Sequence, residues 1–114
     1  MSAKSEVYAA LTATGIPGRY EAYPVKKSPA PPFFIYTVDS HGEFMADDSN
    51  YFELPRFHVE LYEKVSNPET EDLILAACQT FGPVQRTSAW VESEQCHVEE
   101  FDFTFTNNQN TPTT

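Results

Sequence analysis

Arg56-Phe57-His58-Val59-Glu60-Leu61-Tyr62-Glu63-Lys64-Val65, then Ser66-Asn67-Pro68-Glu69-Thr70-Glu71-Asp72-Leu73-Ile74-Leu75-Ala76-Ala77-Cys78-Gln79-Thr80-Phe81-Gly82-Pro83, is the stretch that decides the fold class. Its first part alternates. Phe57, Val59 and Leu61 face one way and His58, Glu60 and Tyr62 the other, the period of a half-buried strand. The second part changes to helical spacing. Asn67 is the N-cap, Pro68 takes the first helical position, and Glu69, Glu71 and Asp72 meet the positive end of the helix dipole. Leu73, Ile74, Ala77, Cys78 and Phe81 form the apolar stripe, and Gly82-Pro83 stops the helix.

Working outward, Ser2 to Thr14 reads as an amphipathic helix with Val7, Tyr8 and Leu11 on one side and Gly15 as its stop. Arg19 to Val25 is a short edge or irregular strand, because Pro24 cannot donate to a ladder. Lys26 to Pro32 is a Pro-rich loop. Phe33 to Val38 is a continuous apolar run, expected as a central strand buried on both faces. Asp39-Ser40-His41-Gly42 makes a hairpin turn, Glu43 to Ala46 returns antiparallel, and Asp47 to Leu54 is a loop. Val84 to Val91 is a strand with Thr87, Ala89 and Val91 on one face and Trp90 on the other, and Glu92 to Gln95 is a turn. The last strand, Cys96 to Thr106, changes phase: Cys96 and Val98 alternate one way, Phe101, Phe103 and Phe105 the other. An extra residue at Glu99-Glu100, in a bulge or a twist, would account for the shift. The expected fold is α+β, a largely antiparallel sheet with two helices packed on one face. Residues 1–106 form a single domain and 107–114 a disordered tail. The expected core includes Phe34, Val59, Leu61, Leu73, Ile74, Ala77, Phe81, Trp90 and Phe103.

Composition narrows the function. The chain has 114 residues, 40% of them hydrophobic, enough for one modest core without metal or disulfide staples. There is no apolar run long enough for a membrane span and no apolar stretch of a signal peptide, so synthesis in a reducing cytoplasm is expected, with Cys78 and Cys96 as free core fillers. Seventeen carboxylates face 7 Lys and Arg, a formal net charge of -10. Such a domain is repelled by phosphate backbones, and no affinity for duplex DNA is expected. The acid excess either serves solubility or forms a surface past which DNA slides without sticking.

Motifs for chemistry are missing. His41, His58 and His97 are scattered, with no Cys-x-x-Cys or His-x-x-x-His pair, and no metal site is expected. Asp47-Asp48-Ser49-Asn50 lacks the glycine and distal glutamate of a calcium loop, and it reads as a solvated turn or a contact loop. Asp39, Ser40 and His41 adjoin in a turn, which is no evidence for a triad. Acidic neighbours disfavour a thiolate at either cysteine. The four glycines build no phosphate loop. No catalytic residue and no cofactor are expected, and the chain is read as a non-enzyme.

Phe44 to Asp48, Glu60-Leu61-Tyr62, the acid-started helix Glu69 to Phe81, and Trp90 to Glu94 occur in an order and spacing that resemble the tail-completion and tail-terminator proteins of tailed phages and prophages, components of head-tail joining. The Pro-rich Lys26 to Pro32 and the Phe-rich last strand depart from that pattern. The resemblance implies a structural virion part, made in the host cytoplasm and ending at the head-tail junction. It implies a homo-oligomeric ring, a hexamer, that caps the tail tube, docks on the connector or stopper, and lets DNA pass without specific binding. The loops carrying Lys26, Lys27, Pro31, Asp47, Asp48 and Tyr51 are then candidate subunit or partner contacts. Glu43, Glu92, Glu94, Glu99 and Glu100, placed at turns and at the expected bulge where side chains point outward, are candidate channel-lining acids. Two other readings stand beside it: an acidic monomeric module that mimics DNA or inhibits a host factor, and another connector protein of the stopper type.

Overall fold

The structure, a computed structural model, describes residues 3–21, 29–39, 55–93 and 95–105. Helix α1 (Ala3–Thr12) leads to β1 (Gly18–Tyr20), β2 (Phe33–Asp39) and β3 (Arg56–Glu63). Helix α2 (Pro68–Gln79) follows, then the hairpin of β4 (Val84–Val91) and β5 (Cys96–Thr104). The five strands form one sheet in the order β1-β2-β3-β5-β4. Every neighbouring pair is antiparallel except β1 with β2, which is parallel. Because β3 and β4 both run antiparallel to β5, α2 is a crossover between parallel strands, with β5 inserted between them. Both helices cover the same sheet face, and the fold is α+β as the alternation predicts. Among the described residues no helix is long and apolar enough to cross a membrane.

The helix-facing side is built in rows across the sheet. Phe57, Phe103 and Val84 form one row, and Val59, Phe101 and Arg86 the next. Then come Leu61, Glu99 and Ser88, and finally Glu63, His97 and Trp90. From β2, Phe34 and Tyr36 join this face, and Val7 and Leu11 of α1 with Ile74 and Cys78 of α2 close over it. Stacked rings fill its apolar end: Phe57 on Phe103 at 5.3 Å and Phe81 on Phe105 at 5.3 Å between centroids. Such offset pairs add to the burial of aromatic area. Two glycines are required by geometry. Gly15 ends α1's turn at a positive φ of 87°, and a Cβ on Gly18 would run into the Phe34 ring.

Asn67 caps α2 as its sequence predicts, its side chain accepting from the Glu69 and Thr70 amides at 3.0 and 3.4 Å. Four expectations need correction. The Phe-rich strand has no bulge: β5 keeps one unbroken register with β3, from Arg56↔Thr104 to Glu63↔His97. Its alternation changes because the strand buries different faces at its two ends. Cys96 and Val98 are buried on the side away from the helices, and Phe101 and Phe103 on the helix side. Leu73 is 50% exposed, since α2 turns Glu71, Ile74 and Cys78 inward instead. Trp90 is 53% exposed, because β4 is an edge strand open on both faces. Finally, β1 is only Gly18–Tyr20 and pairs parallel to β2. The expected return strand Glu43 to Ala46 and the loop Asp47 to Leu54 lie outside the described residues.

Candidate functional site

Among the described residues, the polar end of the helix-facing side brings together the most ionisable side chains. Alternation points Glu63 of β3 and Glu99 of β5 inward, exactly as it points Leu61 and Phe101. Helical spacing brings Glu71 down from the first turn of α2. All three carboxylates are buried, at 2%, 4% and 5% exposure for Glu63, Glu99 and Glu71. Burying a charge without a partner is costly, so the partners decide what each acid can do.

Glu99 and Glu71 are fully engaged. The Arg86 guanidinium reaches from β4 between them, its Nε donating to Glu99 Oε1 and its Nη2 to Glu71 Oε1, both at 2.9 Å. Glu99 Oε2 also accepts from the Ser88 hydroxyl and lies 3.1 Å from His97 Nε2. Burial works against the charged form of Glu99, but these donors outweigh it and hold its carboxyl below the usual range. Glu71 Oε2 accepts from the Ser66 hydroxyl at 2.8 Å and the Asn67 amide at 3.2 Å. The same carboxylate therefore caps its own helix, satisfying an amide at the N-terminus as a capping-box acid does.

Glu63 differs. Among the described residues no donor completes a hydrogen bond to either of its oxygens, although both are buried. Burial first, and then the neighbouring Glu71 carboxylate, push its carboxyl well above the ordinary carboxylate range. Donor atoms of Glu63, Glu71 and His97 lie within 4.8 Å of one another.

A second polar cluster sits on the opposite face. His58 Nδ1 is 2.6 Å from Asp102 Oδ1, and its Nε2 is 3.2 Å from Glu60 Oε2. Glu60 also accepts from the Tyr62 hydroxyl at 2.9 Å. A carboxylate on each ring nitrogen favours the doubly protonated imidazolium. The Glu60 hydrogen bond leads, and the Asp102 contacts add to it against the cost of burial, raising the His58 pKa to about 9. A cation so held neutralises part of the acid row and has no free nitrogen to serve as a base at neutral pH. A cleft of about 360 Å³ opens beside it, lined among others by Asp39, Arg56, His58, Gln85 and Asp102. Cys78 and Cys96 are buried and not in a disulfide, and burial pushes the Cys78 thiol up to about 12, far from a reactive thiolate.

The residues singled out from sequence are placed as follows. Glu92 is exposed and Glu100 half-buried. Glu99 is no outward-pointing acid: with the ladder unbroken, alternation turns it into the core, where Arg86, Ser88 and His97 hold it. Pro31 is half-buried just before β2. Lys26, Lys27, Glu43, Asp47, Asp48 and Tyr51 lie outside the described residues, and so does the side chain of Glu94. Sequence reading missed Glu63, Glu71, Arg86 and His97 as a group. The available signal was the alternation itself: Glu63 continues the Phe57-Val59-Leu61 phase, and Glu99 continues that of Phe101 and Phe103. No protein-family model matches the chain, and no curated protein or solved structure matches it significantly.

Proposed function

We propose that the chain is a structural component of phage tail completion that works by associating with copies of itself at the head-tail junction. The observation that carries this reading, beside the sequence resemblance, is the outer edge of β4. This strand is 8 residues long and exposed over nearly its whole length. Among the described residues it pairs with β5 alone, so the backbone groups along its other side have no strand beside them. Edge strands that must stay solitary carry lysines, prolines or bulges that block pairing. Here Val84-Gln85-Arg86-Thr87-Ser88-Ala89-Trp90-Val91 has none of these, and its one charge, Arg86, is turned onto Glu71 and Glu99. Trp90, half exposed at the end of this edge, is the kind of aromatic that anchors an interface. A repeated contact of this sort between copies closes into a ring if the rotation allows, which suits a hexamer capping the tail tube. The acidic balance suits a ring through which DNA passes without binding.

The experiment is electron microscopy of particles from a phage lacking this gene, together with sedimentation of the purified chain and of Trp90→Lys. Tails of abnormal length or unjoined heads, and an oligomer that Trp90→Lys dissociates, are the expected results. Normal tails with intact joining would overturn the role. A monomer at every concentration and in the presence of tail-tube protein would overturn the ring.

A further inference from the structure

Glu63, Glu71 and His97 come from three separate elements, β3, α2 and β5, and converge on one point at the base of the helix layer. Their donor atoms lie within 4.8 Å of one another. Two features set this cluster apart from a group of acids that merely share a surface. Glu63 is 98% buried by its 2% exposure, and both of its oxygens lack any hydrogen-bond partner. Every other acid of the cluster has its donors supplied by Arg86, Ser66, Ser88, His97 or the Asn67 amide. Among the described residues the Asn67 backbone and the Glu71 carboxyl are close to this carboxylate, but neither completes a hydrogen bond to it. Charge adds a second argument. Two buried carboxylates, Glu71 and Glu99, share the one guanidinium of Arg86, which leaves one negative charge in the cluster, and a bound cation offsets it and lets Glu63 join as a charged ligand.

We infer that Glu63, Glu71 and His97 form a structural site for a divalent cation of the zinc type, which locks the first turn of α2 onto β3 and β5. The donor set selects the ion. Magnesium and calcium take oxygen ligands, whereas an imidazole nitrogen with two carboxylates suits zinc and its transition-metal neighbours. Bound donors stand about 2 Å from such an ion, so the present spacing contracts by about 1 Å as side chains rotate inward. Coordination through His97 Nε2 exchanges its contact with Glu99 for the metal, and Glu99 keeps Arg86 and Ser88. Access is on the His97 side, where that ring is 20% exposed, and a water completes the tetrahedron. Arg86 stays on the far oxygen of Glu71, Oε1, and orients that ligand as an outer partner.

The test is calorimetric titration of the full-length, chelator-stripped chain with zinc chloride, read beside its melting temperature, with calcium chloride as contrast. One zinc per chain, a melting temperature that climbs with zinc concentration, and no response to calcium are expected. Glu63→Gln preserves volume and His97→Gln preserves a polar side chain, and each is expected to weaken zinc binding at least about 100-fold. The use of two variants keeps the outcome readable if one fails to fold. Absence of heat and of any melting shift up to about 1 mM zinc would overturn the site. So would wild-type affinity in either folded variant, or calcium binding as tight as zinc.

Discussion

The helix-facing side of the sheet has two halves built on the same strands by the same alternation, and they solve burial in opposite ways. At one end Phe57 stacks on Phe103 and Phe81 stacks on Phe103 and Phe105, with Phe101 buried in the next row. In the next two rows Glu99, and then Glu63 and His97, occupy the equivalent inward positions, with Glu71 of α2 above them. The apolar half needs only shape and area, so any aromatic in the right phase serves it. The polar half needs donors, and two of its acids depend on residues distant in sequence, Glu71 and Glu99 on Arg86 and Glu99 also on Ser88, while Glu63 is left without one. The difference teaches that inward position and apolar character are separate properties. One follows from backbone geometry, the other from what the opposite elements bring.

Breaking the aromatic half should have the largest effect. Phe101→Ala, at a fully buried position under the Arg86 guanidinium, is expected to cost about 3–5 kcal/mol in denaturant unfolding. A loss below about 1 kcal/mol would show that this end is loosely packed.

Removing the hub of the polar half comes next. Arg86→Met leaves Glu71 and Glu99 buried without their shared cation. Breaking a buried pair costs about 3–5 kcal/mol, and the partial exposure of Arg86 reduces this to about 2–3 kcal/mol. If the double variant Glu71→Gln/Arg86→Met were as unstable as Arg86→Met alone, the orphaned Glu71 charge would not be the cause.

A smaller effect separates the inner polar cluster from the outer one. His58 has its folded pKa raised from 6.5 to about 9, so it binds protons more tightly folded than unfolded. Its contribution is fully present below pH 6.5 and is lost as pH rises through about 9. With the ring a third exposed and screened by water, the advantage over His58→Gln should stay below about 1 kcal/mol and shrink with salt. An advantage that grows between pH 7 and 9 would contradict the ion-pair assignment.

The least effect on stability is expected at two half-exposed apolar side chains, one on α2 and one on β4. Leu73→Ala and Trp90→Ala should each shift unfolding by no more than about 0.5–1 kcal/mol, against about 2–5 kcal/mol for Ile74→Ala one position away. Equal losses for Leu73→Ala and Ile74→Ala would mean that α2 presents a different face.

Most of the architecture could be read from local pattern. The alternation from Phe57 to Leu61 and the Asn67-Pro68 start of α2 are backbone requirements written in adjacent residues, and both elements form where they were read. The strand Val84–Val91 keeps the bounds that the sequence suggests. Misreadings arose where local pattern stood in for position. The alternation of its strand reads Trp90 as core, yet it lies on an edge that no helix covers. The phase change at Glu99-Glu100 reads as a bulge with outward side chains, yet the ladder is unbroken and Glu99 is buried. The strand runs straight, and the buried acid is what interrupts the apolar pattern.

By itself, the sequence determined the two helices, the strands β2 to β5, the cap of α2, the α+β class and the acidic balance, because these depend on spacing and composition within short windows. Tertiary structure alone decided which strands are neighbours, that β4 is left at an edge, and that Glu63, Glu71, Arg86, His97 and Glu99 meet. The physical reason is that Glu71 and Glu99 can stay charged when buried only where donors converge on them. Those donors come from β4, β5 and the α2 N-terminus, which only the folded sheet brings into contact.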